Sequence, residues 1–545
     1  MSLSLPQALG LSVLSIAVWY IFRPYFVKSG LASVPGPSRT SWWKGNFHQV
    51  FNRQGWGFHD MLLKKYGSAV RLNMLFGDEQ LYISDPLALH HILVKDQYTY
   101  EEPDMFITTN NLVFGPGLLS TLGERHRRQR KMLNPVFSIK HMRDLIPVFY
   151  PIAHKFRDII AKQVCEGTEE INIMKWMSRA ALEYIGQGGL GYSFNALEEN
   201  APHNKYSDAI KLFSPTNFKL FLERQFLPWI VNIGTPELRK RAIDLFPNPL
   251  VQTMRMITDV MEETSRKIFM EKKSGLERGD DSVVNQVGRG KDIMSILLKA
   301  NMEASKEDRL PESELLGQMS TFIFAGHDTT TSAVCRILDQ LSKNPDVQEK
   351  LRAEVRAARQ AEGDLSYDRL MSLPYLDAVC RETLRIFPPV PQLVRTTRAD
   401  VVLPLAWPIT AVDGVTQLSE VPLKNNTGVV VSIIGANRCK KIWGEDAEEW
   451  KPERWLNPMP ESVAKAHLPG VYASMMTFSG GGRACIGFKF AEMEMKLVLS
   501  VLLETFSFSP GSKEIFWAMS FLQSPVLKGE TGLSPQLPLK ISFAA

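Results

Sequence analysis

Cysteine is scarce in this chain and scattered where it occurs. Cys165, Cys335, Cys380, Cys439 and Cys485 form no C-x-x-C pair and no compact metal-ligand spacing. That excludes a disulfide framework and a zinc module, and it fits a reducing compartment. A strong charge of one sign is also missing: a formal charge of +5 on 545 residues is too mild to argue for nucleic acid, and none is expected as a partner. No repeat of solenoid or propeller length occurs. With 44% hydrophobic and 22% charged residues, the chain has the composition to bury a large core.

One long uncharged run is present, Leu5 to Phe22, and its 18 residues reach the lower range of a membrane-spanning helix. Trp19 and Tyr20 lie near its end, where aromatic rings suit a membrane interface. Arg23 and Lys28 follow the run and no Lys or Arg precedes it, which places the bulk of the chain in the cytosol. The missing basic n-region argues against a cleaved signal peptide. Val34-Pro35-Gly36-Pro37 then forms a stiff link that cannot continue a helix. The expected organisation is an anchor at 1–30, a proline-rich hinge at 31–44 and one domain over 45–545.

Within that domain, Val70–Met74 and Gln80–Ile83 have the composition of two short strands pairing antiparallel. Lys205 to Gly234 is markedly apolar through Phe213, Phe218, Phe221, Phe226 and Trp229. It packs the core or forms a lid facing lipid. Ser274 to Lys291 is polar and reads as a surface loop.

Four motifs carry chemistry. Phe478 to Lys496 is a glycine-rich loop with one cysteine, followed by Phe490, Met493, Leu497, Val498 and Val501 at helical spacing. Cys485 thus stands just ahead of a helix N-terminus, where backbone N–H groups, the helix dipole and Arg483 favour a thiolate. Pro311 to Ser342 predicts a long helix interrupted by Ala325-Gly326-His327-Asp328-Thr329-Thr330. The glycine there costs about 1 kcal/mol relative to alanine, and threonine hydroxyls that bond back to carbonyls bend helices. Glu382 and Arg385 are at i and i+3, able to pair on one helix face. Pro452-Glu453-Arg454-Trp455 follows them.

The loop Phe478-x-x-Gly481-x-Arg483-x-Cys485-x-Gly487 resembles the haem-binding loop of the cytochrome P-450 superfamily, and the other three motifs follow that family's order. The wording most resembles microsomal enzymes of filamentous and wood-rotting fungi. The resemblance implies a mainly α fold with a small β-rich region, preceded here by the single transmembrane helix. It implies haem b (iron protoporphyrin IX) with Cys485 as axial iron ligand. Asp328 and Thr329 would move protons on the oxygen side, and Ala325 and Gly326 would leave room there. Glu382, Arg385 and Arg454 would form a structural network. Arg130, Arg395 and Arg483 would hold the haem propionates, with Phe478 beside the haem. The family's W-x-x-x-R reads His126-x-x-x-Arg130 here, so histidine stands where tryptophan is usual, and His126 would contact a propionate beside Arg130.

Around this centre, Phe106, Leu112, Phe114, Val390, Leu393 and Leu533 either line a substrate pocket or pack the core. Arg125, Arg127, Arg128 and Lys131 remain for an acidic protein partner, and Lys489 is a further docking cation. The expected activity is a membrane-anchored monooxygenase acting on a lipophilic substrate. Terpenoids or sterols come first, with polycyclic aromatics and fatty acids behind. Electrons would come from NADPH through NADPH–cytochrome P-450 reductase, at the endoplasmic reticulum membrane with the catalytic domain cytosolic. A haem-thiolate isomerase or dehydratase working without a reductase is the alternative, and a non-catalytic haem sensor is the third reading. Proton delivery by Asp328 and Thr329 weighs against the isomerase.

Overall fold

The computed structural model describes Ser15 and residues 30–198, 205–277, 290–519, 521–529 and 534–545. The expected anchor, Ser15 and Gly30 apart, and Leu533 lie outside the described residues. Among the described residues no helix is long and apolar enough to cross a membrane.

Helices dominate, as expected. The central helix runs unbroken over Glu312–Lys343, with the stretch Ala325–Thr330 in its middle. Thr329 and Thr331 donate to the carbonyls of Ala325 and His327, each at 2.8 Å, so the two threonines are satisfied within the helix rather than breaking it. The helix Phe488–Thr505 begins where the cysteine loop ends, and Phe490, Met493, Leu497, Val498 and Val501 are all buried. It packs on Ile139–Cys165, where Phe149 and Phe490 meet edge to face with ring centroids 5.1 Å apart.

The largest sheet among the described residues has five strands in the order Ala69–Asn73, Glu79–Ile83, Gly428–Ser432, Gln392–Thr397, Tyr100–Glu101. The predicted hairpin is present, with Val70 opposite Tyr82. Arg395 lies in the fourth strand, opposite Val429. The short fifth strand pairs its Glu101 with Thr396, at the edge of the sheet.

Two expectations about surface segments change. The helix Pro249–Glu277 continues four residues into the stretch read as a loop from Ser274, and Leu276 packs against the core there. The apolar stretch after Lys205 divides between both of its readings. Phe213 is buried against Phe114 and Phe324, whereas Phe226, Trp229 and Ile230 are exposed.

Glu382 and Arg385 are completely buried and pair through two hydrogen bonds of 2.9 and 2.8 Å. Glu382 also accepts from Arg454 Nε at 3.3 Å, Trp455 Nε1 at 2.9 Å and the backbone N–H of Lys451 at 3.1 Å. Arg385 donates onward to the carbonyls of Asn437 and Ala447 at 2.8 and 2.7 Å. The expected Glu–Arg–Arg network is thus formed. Glu382→Gln leaves Arg385 a buried charge without its counter-ion and is expected to cost about 3–5 kcal/mol. A urea melt should show a lower midpoint with an unchanged slope; an unmoved midpoint would mean that the carbonyl contacts alone hold Arg385.

Candidate functional site

The cysteine loop is shaped by its glycines. Gly481 has φ +67°, and a Cβ there would meet the Leu93 carbonyl oxygen at 1.7 Å. At Gly480 a Cβ would meet the Pro469 carbonyl oxygen at 2.1 Å. The loop closes through the Cys485 N–H, which donates to the Phe478 carbonyl at 2.9 Å. Phe478 itself packs edge to face on Tyr472, with ring centroids 5.3 Å apart. Cys485 is exposed although Ala484 before it is buried, so its sulfur faces open space from within a packed loop. Crowding by the surrounding protein pushes the thiol up, while the Gly487 N–H and the Arg130 charge oppose that and favour the thiolate.

The basic helix Gly123–Leu133 brings Arg130 to this loop, where its Nη1 donates to the Ala484 carbonyl at 2.5 Å. His126, one turn earlier, is buried and lies within electrostatic reach of Arg483 and Arg130. Burial first, and then those two cations, lower its pKa to about 3, so its imidazole is neutral at neutral pH. Arg483 donates to the carbonyls of Leu118 and Thr121 at 3.3 and 2.6 Å. Arg395 reaches the same cluster from its strand. The four predicted propionate contacts, which come from three separate stretches of sequence, therefore converge.

On the central helix, Ala325 is exposed while Phe322, Ile323 and His327 around it are buried. Asp328 and Thr329 are half-buried beside it. Gly326 rests on Ile185, whose Cδ1 an added Cβ would meet at 3.1 Å. His327 is fully buried and its Nε2 donates to the Ser178 carbonyl at 2.9 Å, which accords with packing rather than ligation. Its Nδ1 lies 2.8 Å from Asp328 Oδ1, but off the direction of a hydrogen bond. An open sulfur, an open small-residue face on a buried helix, and converging guanidinium groups that match carboxylates in shape and charge together fit an iron porphyrin with two propionates.

The predicted pocket residues differ among themselves. Phe114 stacks on Phe324 of the central helix with ring centroids 4.6 Å apart. Phe106, Val390 and Leu393 are partly buried, and Leu112 is 47% exposed. Several contributors carry no local motif. Glu102 contacts both Arg395 and Arg483. Lys211 lies within electrostatic reach of Asp328. Glu314, only 2% exposed, accepts from Arg125, Arg128 and Gln129. Arg125 and Arg128 are thereby tied to the central helix, whereas Lys131 pairs with Asp308 at the surface and stays largely exposed. Arg127 pairs only with the exposed Glu124 beside it.

Gly481→Ala forces a left-handed backbone on a side chain that also meets a carbonyl, and is expected to destabilise by at least about 1–3 kcal/mol. Gly482→Ala should cost less, because its Cβ meets only the Gln97 side-chain end, at 2.5 Å. Thermal melting of the two variants tests this order, and equal losses would count against it.

The family model "Cytochrome P-450" matches residues 35–525. A cytochrome P-450 monooxygenase of Postia placenta is 51% identical over 516 residues, covering 95% of this chain and 94% of its own. A ganoderic acid synthetase of Ganoderma lucidum is 43% identical, over 97% of this chain and 96% of its own. A cytochrome P-450 monooxygenase of Hericium erinaceus is 37% identical, over 99% and 98% respectively. Matched along nearly its whole length by both model and relatives, the chain belongs to the cytochrome P-450 family and is an oxidoreductase of the monooxygenase kind.

Proposed function

We propose that this protein is a membrane-anchored haem-thiolate monooxygenase that oxidises a lipophilic substrate, a terpenoid or sterol by preference. O2 is the oxidant and NADPH supplies the electrons through NADPH–cytochrome P-450 reductase. The observation that carries the chemistry is Cys485, open within a packed loop and flanked by the Gly487 N–H and Arg130, which favour its thiolate. Bound haem supplies the binding and reductive activation of O2. Arg130, Arg395, Arg483 and His126 would hold its propionates, and Cys485 would hold its iron.

The remaining steps belong to side chains of the central helix. Asp328 takes protons from the solvent side and passes them to Thr329. The Thr329 hydroxyl donates to the Ala325 carbonyl at 2.8 Å, which leaves its oxygen lone pairs free to accept. Rotation of that hydroxyl then hands the proton toward the open face at Ala325. The small side chains at Ala325 and Gly326 leave space for oxygen and substrate.

Membrane association is supported by the uncharged run Leu5–Phe22 and by a second apolar surface. Phe226, Trp229, Ile233, Leu245 and Phe246 are each more than half exposed, too many for an ordinary solvated surface. The endoplasmic reticulum membrane is the proposed location, with the catalytic domain cytosolic. Arg127 and Lys489 offer positive charge to the reductase. A terpenoid substrate is supported by the ganoderic acid synthetase among the relatives, since ganoderic acid is a triterpenoid.

The reduced protein with CO is expected to show the Soret band of thiolate-ligated haem, and Cys485→Ala to lose it; an unchanged band in the variant would refute the ligand assignment. Asp328→Asn is expected to slow product formation about 10²–10⁴-fold while NADPH oxidation continues into peroxide. Mass-spectrometric analysis of a terpenoid, sterol, polycyclic aromatic and fatty acid panel tests the substrate class.

A further inference from the structure

Glu102 has no counterpart in any motif of the sequence, yet it sits at the centre of the cation cluster. The fifth strand places it there. Glu101 lies opposite Thr396, so the next residue along this antiparallel pair comes level with Arg395. Pro103 then ends the strand and opens the helix Asp104–Phe114.

Glu102 is only 8% exposed, a position that is costly for a charge unless it is paired. Its two oxygens are divided between two arginines. Oε1 lies 3.4 Å from Arg395 Nη2, and Oε2 lies 3.3 Å from Arg483 Nη2. The neighbouring acids Glu101 and Asp104 both contact Arg398, at 3.4 and 2.7 Å, and Glu101 reaches Arg483 only through longer-range electrostatics. Glu102 is therefore the acid bridging the sheet arginine to the arginine of the cysteine loop.

We infer that Glu102 is a positioning residue for the haem propionates, holding Arg395 and Arg483 in register and setting the charge of their site. Arg130, Arg395 and Arg483 contribute three positive charges, and Glu102 removes one. The remaining two match the two propionates of the porphyrin. Without Glu102 the site would carry an excess positive charge, and its arginines would repel one another.

A fixed negative charge at the edge of the haem favours ferric over ferrous iron. The inference rests on the haem reading above, and reduction potential separates the two. In haem-loaded protein, Glu102→Gln keeps the shape and removes the charge, so its ferric–ferrous potential is expected to shift in the positive direction. Glu102→Asp keeps the charge and is expected to stay nearer wild type, and Asp104→Asn, which changes an exposed acid held by Arg398, is expected to leave the potential in place.

A potential in Glu102→Gln equal to wild type overturns the inference, as does an equal shift in all three variants. If Glu102→Gln retains no haem, Glu102→Asp decides. Haem retention with a near-wild-type potential supports the role of charge, and loss of haem despite the retained charge overturns it. Wild-type protein that binds no haem would instead refute the haem reading itself, and this inference with it.

Discussion

Glu382 is a carboxylate without access to water, and its need for partners organises the cysteine side of the molecule. Its two oxygens gather Arg385, Arg454, Trp455 and the Lys451 N–H, tying the helix Pro374–Ile386 to the turn Pro452–Leu456. The connection continues to the cysteine. Arg385 holds the Asn437 carbonyl, and the Asn437 side chain bonds the Thr477 hydroxyl at 2.9 Å and the Met476 N–H at 2.7 Å. Thr477 in turn donates to the Leu384 carbonyl at 2.7 Å. Met476 and Thr477 belong to the strand Met475–Gly480, which leads directly into the loop of Cys485. A single buried ion pair thus sets the position of the strand that carries the sulfur, at a distance in sequence of about a hundred residues, roughly the scale of a small domain.

A second buried acid fixes the opposite side. Glu314, near the start of the central helix, takes up Arg125, Arg128 and Gln129 of the basic helix. Beside it Gly117 and Gly317 approach so closely that a Cβ on Gly117 would meet the Gly317 carbonyl oxygen at 2.5 Å. Gln318 accepts from the Leu118 N–H at 3.0 Å. The loop carrying Leu118 and Thr121 is therefore held in register on the central helix. The carbonyls of those same two residues receive Arg483, two residues before the cysteine. The central helix and the cysteine loop are thus joined through this loop.

What was legible in the sequence was local. The helix Phe488–Thr505 shows in its apolar spacing, the hairpin of Val70 and Tyr82 in its alternation, and the cysteine loop in its glycines. Each signal sits within a few residues of the feature it predicts. Glu102 and Glu314 were not legible, because a lone acid carries no mark of a partner on a distant element. Their roles come from sheet pairing and helix packing, which bring Glu102 to Arg483 and Glu314 to Arg128. For the same reason Arg125 and Arg128 read as free surface charge when they are in fact internal anchors. The apolar stretch after Lys205 was ambiguous because core and surface readings need the same residue types. Phe213 faces Phe324 and Trp229 faces outward, a division set by packing and not by composition.

The departure at His126 is resolved by electrostatics. An indole offers a carboxylate one N–H donor and no charge. A surface imidazole would differ, since it titrates near neutral pH and brings a second donor and a positive charge when protonated. At position 126 the ring is buried and stands beside Arg130 and Arg483, and these surroundings hold its pKa at about 3. Burial and those two cations disfavour a positive charge on the ring, leaving a flat aromatic ring with a single N–H donor. In that state the ring offers one N–H donor, as an indole does. It adds no charge to a cluster that already holds Arg130, Arg395 and Arg483 with Glu102 among them.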